Sequence, residues 1–437
     1  MSDPIHCYFT LGGINYKNGF VTSCPQQSDQ LFIIDREIKP SEIINSEKFK
    51  QHRLEMMSGK WPTGCHLCQE VEQASAGKSM RQDYTVDASH YNSDDGTISF
   101  LGLKHIELRF SNSCNLACLH CSDVYSSGWM SKLKNYTPDQ EDYKHNLIQL
   151  TKQMHRKSVD EDLSISLSIE KMNIIVQDLI DNFPNLERID FAGGEVLYQK
   201  QFFPCLERLA EHPNVKNIKI FFHSNFNTKF DPVRLHQLLQ PFGKSTIMVS
   251  VDSGQRIYPY FRSASWLVLK ENINKFKTLD VKKKTLIKLV CTTSVYQLMD
   301  IVDIFESFLT LDVDRINSSI VYTPRYLNPA LMMQKFKDYV LADIESARTV
   351  IDKEKARRMS SDVTKFRSWV KDDAFTDIYT AYLALDNIKQ YVMNHKTEEK
   401  EFEALEVYIR KTDVLWKQNF NDYFNNYKIV DGKIYRN

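Results

Sequence analysis

The sequence predicts an α/β fold with a small α+β segment in front of it and a helical segment behind it. From Lys104 to residue 325, short β-like runs alternate with helical stretches, the pattern of βα units that build a parallel sheet. Ahead of that region, residues 1–100 carry four cysteines and close in a polar, turn-rich stretch over 85–99. Behind it, residues 326–437 follow mainly helical periodicity. The expected segments are therefore 1–100, 101–325 and 326–437.

Composition narrows the class. The 437 residues are 42% hydrophobic and 26% charged, enough for a large core in two or three domains. Formal net charge is +0 and pI is about 7.2, so no overall field favours nucleic acid or an anionic membrane. No apolar run approaches the roughly 20 residues needed to span a bilayer. Met1-Ser2-Asp3-Pro4-Ile5-His6-Cys7 lacks a basic-then-apolar signal pattern. The expectation is a soluble, cytoplasmic protein without a membrane partner and without an evident nucleic-acid partner. Nine cysteines in so long a chain are no disulfide framework, and seven of them fall in ligand-like groups.

In the N-terminal segment, Cys7 and Cys24 flank an expected hairpin whose turn is Asn18-Gly19, a pair that tolerates positive φ. Ser46 is a good N-cap for a helix ending at Gly59. Trp61-Pro62-Thr63-Gly64-Cys65-His66-Leu67-Cys68 then supplies a C-x2-C knuckle. Hairpin pair and knuckle together can place four sulfurs around one metal centre, either a zinc ion or an iron–sulfur cluster.

The region after residue 100 opens on a strand-like run, 104–110, followed by Ser111-Asn112-Ser113-Cys114-Asn115-Leu116-Ala117-Cys118-Leu119-His120-Cys121. Three thiolates spaced C-x3-C-x2-C suit a metal cluster better than disulfides, because one loop can turn all three sulfurs inward. A four-iron cluster needs four ligands, so three cysteines leave one iron open. A zinc site or three reduced thiols are the plainer alternatives. The stretch resembles the signature of the radical S-adenosylmethionine (radical SAM) family. That resemblance implies that Cys114, Cys118 and Cys121 hold a 4Fe–4S cluster whose open iron is chelated by the amino and carboxylate groups of SAM.

Further strands are expected at 187–192, 217–223, 246–252, 285–293 and 316–322, with helices at 168–182, 202–211, 230–240, 265–279 and 297–309. Six such units match the partial (β/α)6, TIM-like barrel of radical SAM enzymes, with chemistry at the C-terminal strand ends. His120 stands where the family often has an aromatic residue near the adenine; as a lone histidine it also reads as a packing residue. Residues 134–165 are a charged insertion, solvated or a substrate lid. Gly193-Gly194-Glu195 ends strand two and is similar to the family's Gly-Gly-Glu-Pro turn, whose backbone and carboxylate receive the SAM amino group. Val196 stands in place of the usual proline. Asn225 ends strand three and either binds SAM or substrate or shapes the turn. Ser250 and Asp252 resemble the family's Ser-x-Asp segment and are expected on one strand face, where they accept from the SAM ribose and amino groups. Arg262 matches an arginine near the SAM carboxylate; a surface salt bridge is the alternative. Cys205 reads as a buried small hydrophobe. Cys291 ends strand five as a packing residue or a hydrogen-atom donor to a substrate radical.

The resemblance extends to the first segment. Cys7, eleven residues, Gly19, four residues, Cys24 fits the C-x(9–15)-G-x4-C pattern of SPASM/twitch domains, which also carry a later C-x2-C. It implies an auxiliary 4Fe–4S cluster on Cys7, Cys24, Cys65 and Cys68. The motif here precedes the barrel instead of following it, and only the four-cysteine set is present.

The last segment should be helical at 327–352, 354–370, 374–394 and 397–412, with Ile378, Ala381, Leu385, Ile388 and Val392 as a buried stripe. It could close the barrel, bind a partner or dimerise. The tail from Asn425 has no assignment. Taken together, the motifs imply a radical SAM enzyme that cleaves SAM to a 5′-deoxyadenosyl radical, draws on an external one-electron reductant and acts on a peptide or protein. A small metabolite, sugar or nucleotide is the alternative substrate, and a zinc-stabilised binding protein is the alternative class.

Overall fold

Strand pairing starts from the N-terminal hairpin. In the computed structural model, which describes residues 3–17, 20–27, 32–33, 39–73, 79–123, 125–134, 166–280, 284–321, 325–329, 334–361, 376–394, 400–430 and 433–436, the chain is mixed α/β with mostly parallel strands. It divides into two units, Met1–Asn112 with Leu163–Phe222 and Val233–Thr246, and Ser113–Asp162 with His223–Pro232 and Ile247–Asn437.

In the first unit, a short helix, Tyr8–Gly12, follows Cys7 and leads into β1 (Gly13–Lys17). β2 (Phe20–Thr22) and β3 (Phe32–Ile33) follow antiparallel. The hairpin is therefore present, while Asn18 and Gly19 lie outside the described residues. β4 (His105–Arg109) pairs parallel with β1, so the first 100 residues extend the sheet that carries β4. β5 (Arg188–Ala192) and β6 (Lys219–Ser224) continue it in parallel. Gly13 permits the close packing at the start of β1, where an added Cβ would stand 2.7 Å from both Phe9 O and Ser23 O.

Helix Glu47–Met57 begins after Ser46, although the Ser46 hydroxyl caps no backbone N–H; Gly59, at φ +78°, stops it. Arg53 on that helix is fully buried, and its guanidinium reaches the carbonyls of Thr10, Ile44 and Gly96. One buried cation thereby satisfies three backbone acceptors that no strand reaches.

The two faces of β4 and β5 differ in kind. Ile106, Leu108, Ile189 and Phe191 are wholly buried, with Phe191 edge-on to Phe202 of helix Phe202–Leu209. The alternate residues form a charged face. There the Arg188 fork holds both Asp190 oxygens at 2.7 Å and His105 Nε2 lies 3.3 Å from Asp190 Oδ2. Arg188 also lies 3.8 Å over the Phe221 ring.

β7 (Lys244–Ser250) lies in the second unit from Ile247 onward, and in that unit β8 (Thr285–Thr293) and β9 (Arg315–Ile320) follow, pairing parallel from Lys288↔Arg315 to Thr293↔Ile320. Helix Thr376–Asn394 covers β9: Ile316 N donates to Thr380 Oγ1 and the Ser318 hydroxyl to Ala384 O. Such cover removes an exposed strand edge. The expected stripe from Ile378 to Val392 is buried. Residues 334–361 form one helix where two were expected, because nothing in Asp352-Lys353-Glu354 breaks it. The tail forms a hairpin of β10 (Tyr427–Val430) and β11 (Lys433–Arg436), and the Asp431-Gly432 pair between them was a legible turn signal. Most of the charged insertion lies outside the described residues. Among the described residues no helix is long and apolar enough to cross a membrane.

Burial alone would raise the Asp190 carboxyl, but His105 and Arg188 outweigh it and hold its pKa down to about 2. Its contribution to stability is therefore complete above the unfolded value of 3.8 and is lost as pH falls through about 2. Asp190→Asn should lower unfolding free energy by about 2 kcal/mol at pH 7, with the difference closing toward pH 2. Urea melts of the two proteins across that range measure it.

Candidate functional site

The cysteine loop belongs to the second unit, and its own backbone shapes it. Cys121 N donates to Cys118 O at 2.9 Å, closing a tight turn between the last two cysteines. Leu116 N points at Cys114 Sγ at 3.5 Å, an N–H to sulfur contact. Ser127, opening helix Ser127–Lys134, receives Cys114 N at 3.0 Å and donates to Cys114 O at 3.2 Å. Two asparagines beyond β6 hold the outer part of the loop: Asn225 Nδ2 donates to Asn115 Oδ1 at 2.9 Å, and Asn115 Nδ2 to Asn227 O at 3.0 Å. Asn225 Oδ1 also receives Asn227 N at 2.7 Å, so this amide shapes its turn and fastens the cysteine loop.

Three of the groups expected near SAM, His120, Asp252 and Arg262, gather beside this loop. β7 stops at Ser250, and Asp252 lies beyond it at φ +51°, so the two residues do not share a strand face by simple alternation. Aspartate tolerates that left-handed backbone better than most residues. Asp252 is fully buried, ion-paired with Arg262, and its Oδ1 accepts Thr292 N at 2.6 Å. Its carbonyl accepts Gln297 Nε2 at 2.5 Å. His120 Nε2 lies 3.5 Å from Asp252 Oδ2, and the imidazole stacks on Phe261 at 5.1 Å between centroids. Burial pushes the His120 pKa down against the pull of Asp252, which favours the neutral ring.

Arg262 is no surface residue: it is 5% exposed, at the end of helix Tyr258–Arg262. Burial pushes the Cys118 thiol up to about 12, with Arg262 opposing. Cys121 is also pushed up by burial, within electrostatic reach of Cys118, Cys114 and Arg262. Cys291 is buried on β8, receives the Thr293 hydroxyl at its sulfur, and sits within reach of Asp252 and Arg262.

The glycine turn belongs to the first unit. Gly193 and Gly194 both have positive φ, +84° and +52°, and a Cβ at Gly193 would stand 3.2 Å from Ser111 O. Glu195 is buried and its carboxylate caps the following turn, accepting Leu197 N at 3.0 Å. Gln199 Nε2 donates to Gly193 O at 2.8 Å and to Ser111 O at 3.2 Å, holding the turn to the end of β4. Val196 is completely buried, so packing supplies the rigidity a proline would give.

The four remaining ligand-like cysteines also meet in the first unit. Cys7, Cys24, Cys65 and Cys68 line one small cavity together with Met56, Trp61, Met80 and Arg81. Gln26 N points at Cys24 Sγ at 3.4 Å, and Cys65 Sγ lies 3.7 Å from His52 Nε2. Burial pushes the Cys24 thiol up, and Cys7, Cys68 and Cys65 push the same way. Four cysteines as much as 61 positions apart in sequence thus converge on one place.

None of the nine cysteines forms a disulfide. Among the described residues no group of three or more His, Cys, Asp and Glu is gathered around a single point as one metal ion requires. Ligands of a four-iron cluster bind different irons and stand further apart, so both thiol sets fit such a group by donor chemistry and by the N–H groups aimed at sulfur. Sequence reading did not find Asn115, Trp129 or Phe261, whose roles depend on contacts distant in the chain.

No family model and no curated protein matches this chain. Among solved structures it is similar to His6-tagged anSMEcpe with bound AdoMet, at 17% identity over 55% of this chain and 59% of that one, TM-score 0.33. It is also similar to Streptococcus suis SuiB bound to precursor peptide SuiA, at 14% identity over 71% of this chain and 60% of that one, TM-score 0.35. The chain thus spans less than two thirds of the length of either. The overlap is partial at these scores, and the chemistry rests on this chain's own residues.

Arg262→Met should cost about 3–5 kcal/mol of stability, because it strands Asp252 as an unpaired buried charge. Combining it with Asp252→Asn should recover a large part of that loss. Denaturant titration of the single and double variants gives both numbers.

Proposed function

We propose that this chain is a radical SAM enzyme. The observation that carries the reading is the convergence of Cys118 and Cys121, within reach of Cys114, upon the buried Asp252–Arg262 pair and the stacked His120. Soft thiolates beside a fixed guanidinium and a fixed carboxylate are what a cluster with an amino-acid-bearing cofactor would need. On this reading Cys114, Cys118 and Cys121 hold a 4Fe–4S cluster. Arg262 would meet the SAM carboxylate, Asp252 and Ser250 its ribose and amino group, and His120 its adenine. The motif resemblance would give Gly193, Gly194 and Glu195 the amino group as well, and Asn225 keeps the loop in register. When bound, cluster and SAM supply a 5′-deoxyadenosyl radical able to abstract hydrogen from an unactivated carbon.

The residues around the site have simpler tasks. Arg262 and Asp252 neutralise each other while buried, and each would offer one charge to an oppositely charged group of a bound amino-acid-bearing cofactor. The neutral His120 ring provides a flat surface for stacking without adding charge. Cys291, buried beside Asp252, remains a packing residue or a hydrogen donor. The six βα units would make a partial TIM-like barrel over 101–325, preceded by a twitch-like segment over 1–100 and followed by the helical extension over 326–437. Cys7, Cys24, Cys65 and Cys68 would hold an auxiliary 4Fe–4S cluster. A peptide or protein is the substrate class implied by the motif resemblance, with an external one-electron donor as partner.

Anaerobic reconstitution with iron and sulfide tests the reading. About eight irons per chain are expected, four for each cluster. Cys114→Ala should retain about four, and Cys24→Ala likewise. With dithionite and SAM, the wild-type chain should release 5′-deoxyadenosine and methionine, and Cys114→Ala should release none. Zinc in place of iron, with no SAM cleavage, would overturn the enzyme in favour of a zinc-stabilised scaffold.

A further inference from the structure

The C-terminal segment contains a helix that touches the cysteine loop and the Arg262 helix together. Helix Lys400–Trp416 lies in the second unit with both of them. Trp416 Nε1 donates to Ala117 O at 2.8 Å, and the Tyr408 hydroxyl donates to Leu119 O. Cys118 O, between those two carbonyls, accepts Trp129 Nε1 at 2.8 Å. The Trp129 ring meets Trp416 edge-on at 4.7 Å. Three successive carbonyls of the loop are thus held by three buried aromatic donors, two of them on one helix about 290 to 300 residues away.

The same helix reaches the other half of the site. Asp413 Oδ1 accepts the Tyr260 hydroxyl at 2.9 Å, and its Oδ2 accepts Phe420 N at 2.7 Å. Tyr260 lies two residues before Arg262. Its neighbour Phe261 accepts Leu119 N at 2.9 Å through its carbonyl and stacks on His120. Tyr408, Tyr260 and Trp129 are fully buried, and Trp416 is 5% exposed.

We propose that helix Lys400–Trp416 is a positioning element for the cofactor site, and that Tyr408, Asp413 and Trp416 are its positioning residues. Tyr408 fixes the Leu119–His120 peptide plane and Trp416 the Ala117–Cys118 plane. Those planes set the direction of the His120 and Cys118 N–H groups, and the direction of N–H groups near the sulfurs would tune a cluster's electronics. Asp413 fixes the Arg262 helix relative to that loop, so one rigid helix sets the separation between thiols and guanidinium. The clamp is a property of the chain; its bearing on SAM rests on the function proposed above.

The test uses Tyr408→Phe, which keeps the ring and removes only the hydroxyl donor, together with the double variant Tyr408→Phe/Trp416→Phe, which also removes the indole N–H and part of that ring's volume against Trp129. In the metal-free full-length chain, iodoacetamide labelling of Cys118 and Cys121 is followed by mass spectrometry, with the buried Cys205 as internal control. Labelling of the loop thiols should accelerate about tenfold, the scale of one lost buried hydrogen bond, with Cys205 unchanged. After reconstitution, the reduced wild-type cluster should change its electron paramagnetic resonance signal when SAM is added, and the double variant should lose that change. Asp413→Asn, whose Oδ1 can accept Phe420 N while its Nδ2 donates to the Tyr260 hydroxyl oxygen, should behave as wild type, and Asp413→Ala should resemble the double variant. Unchanged labelling and an unchanged SAM response would overturn the clamp while leaving the enzyme standing. Accelerated labelling in a chain whose wild type shows no SAM response would keep the clamp and sink the enzyme. Should Cys205 labelling rise too, the double variant has loosened globally, and Tyr408→Phe alone is judged by the same two readouts.

Discussion

A fully buried carboxylate has to be paid back by its surroundings, and around Asp252 they are arranged to do so. The residue leaves β7 in a left-handed conformation, meets the Arg262 guanidinium, takes a backbone N–H from β8 and offers its carbonyl to Gln297. Burying either charge alone would cost several kcal/mol, so each side chain makes the position of the other obligatory. The polar contacts beside the cysteine loop are built onto this pairing. His120 is drawn beside it, Phe261 lies flat on His120, and the cysteine loop is tied to the same short helix through Leu119.

The two cysteine sets reach their places by different routes. Cys114, Cys118 and Cys121 lie on one loop whose turn needs only local hydrogen bonds, and distant groups then hold it still. Cys7, Cys24, Cys65 and Cys68 meet only because a hairpin, a helix and a knuckle fold upon one another, with His52 and Met56 of the helix against the thiols. A site of the first kind can be read from spacing. In the second kind spacing suggests the partners, and packing alone brings them together.

Carbonyl satisfaction accounts for two buried aromatic residues with polar tips in the C-terminal segment, Tyr408 and Trp416, and for Trp129 beside the loop itself. The carbonyls of Ala117, Cys118 and Leu119 point into packed protein and need donors there. Trp129, Trp416 and Tyr408 answer that need with large apolar rings and one donor each, filling volume and ending the loop's freedom at once. The helical segment is thereby part of the site's construction. The stripe on helix Thr376–Asn394 serves a different end, burying the flank of β9.

Much of this was legible in the amino-acid sequence. Period-two runs located β4 to β9 within a few residues, because alternating burial imprints itself on the order of side chains. The cysteine spacings marked both thiol sites, and Gly193-Gly194 announced a turn that only positive φ allows. Other features had no local signature. That β1 lies beside β4, that Asp252 leaves the strand, that Arg262 is buried, and that Tyr408 and Trp416 hold the cysteine loop each depends on pairs of groups tens to hundreds of residues apart. Sequence determined the elements and the chemical character of the thiol and charged groups, since those follow from local dihedral preference and side-chain type. Tertiary structure decided which charges face each other and which carbonyls are held, since a buried polar group takes whichever partner the packed chain brings within reach.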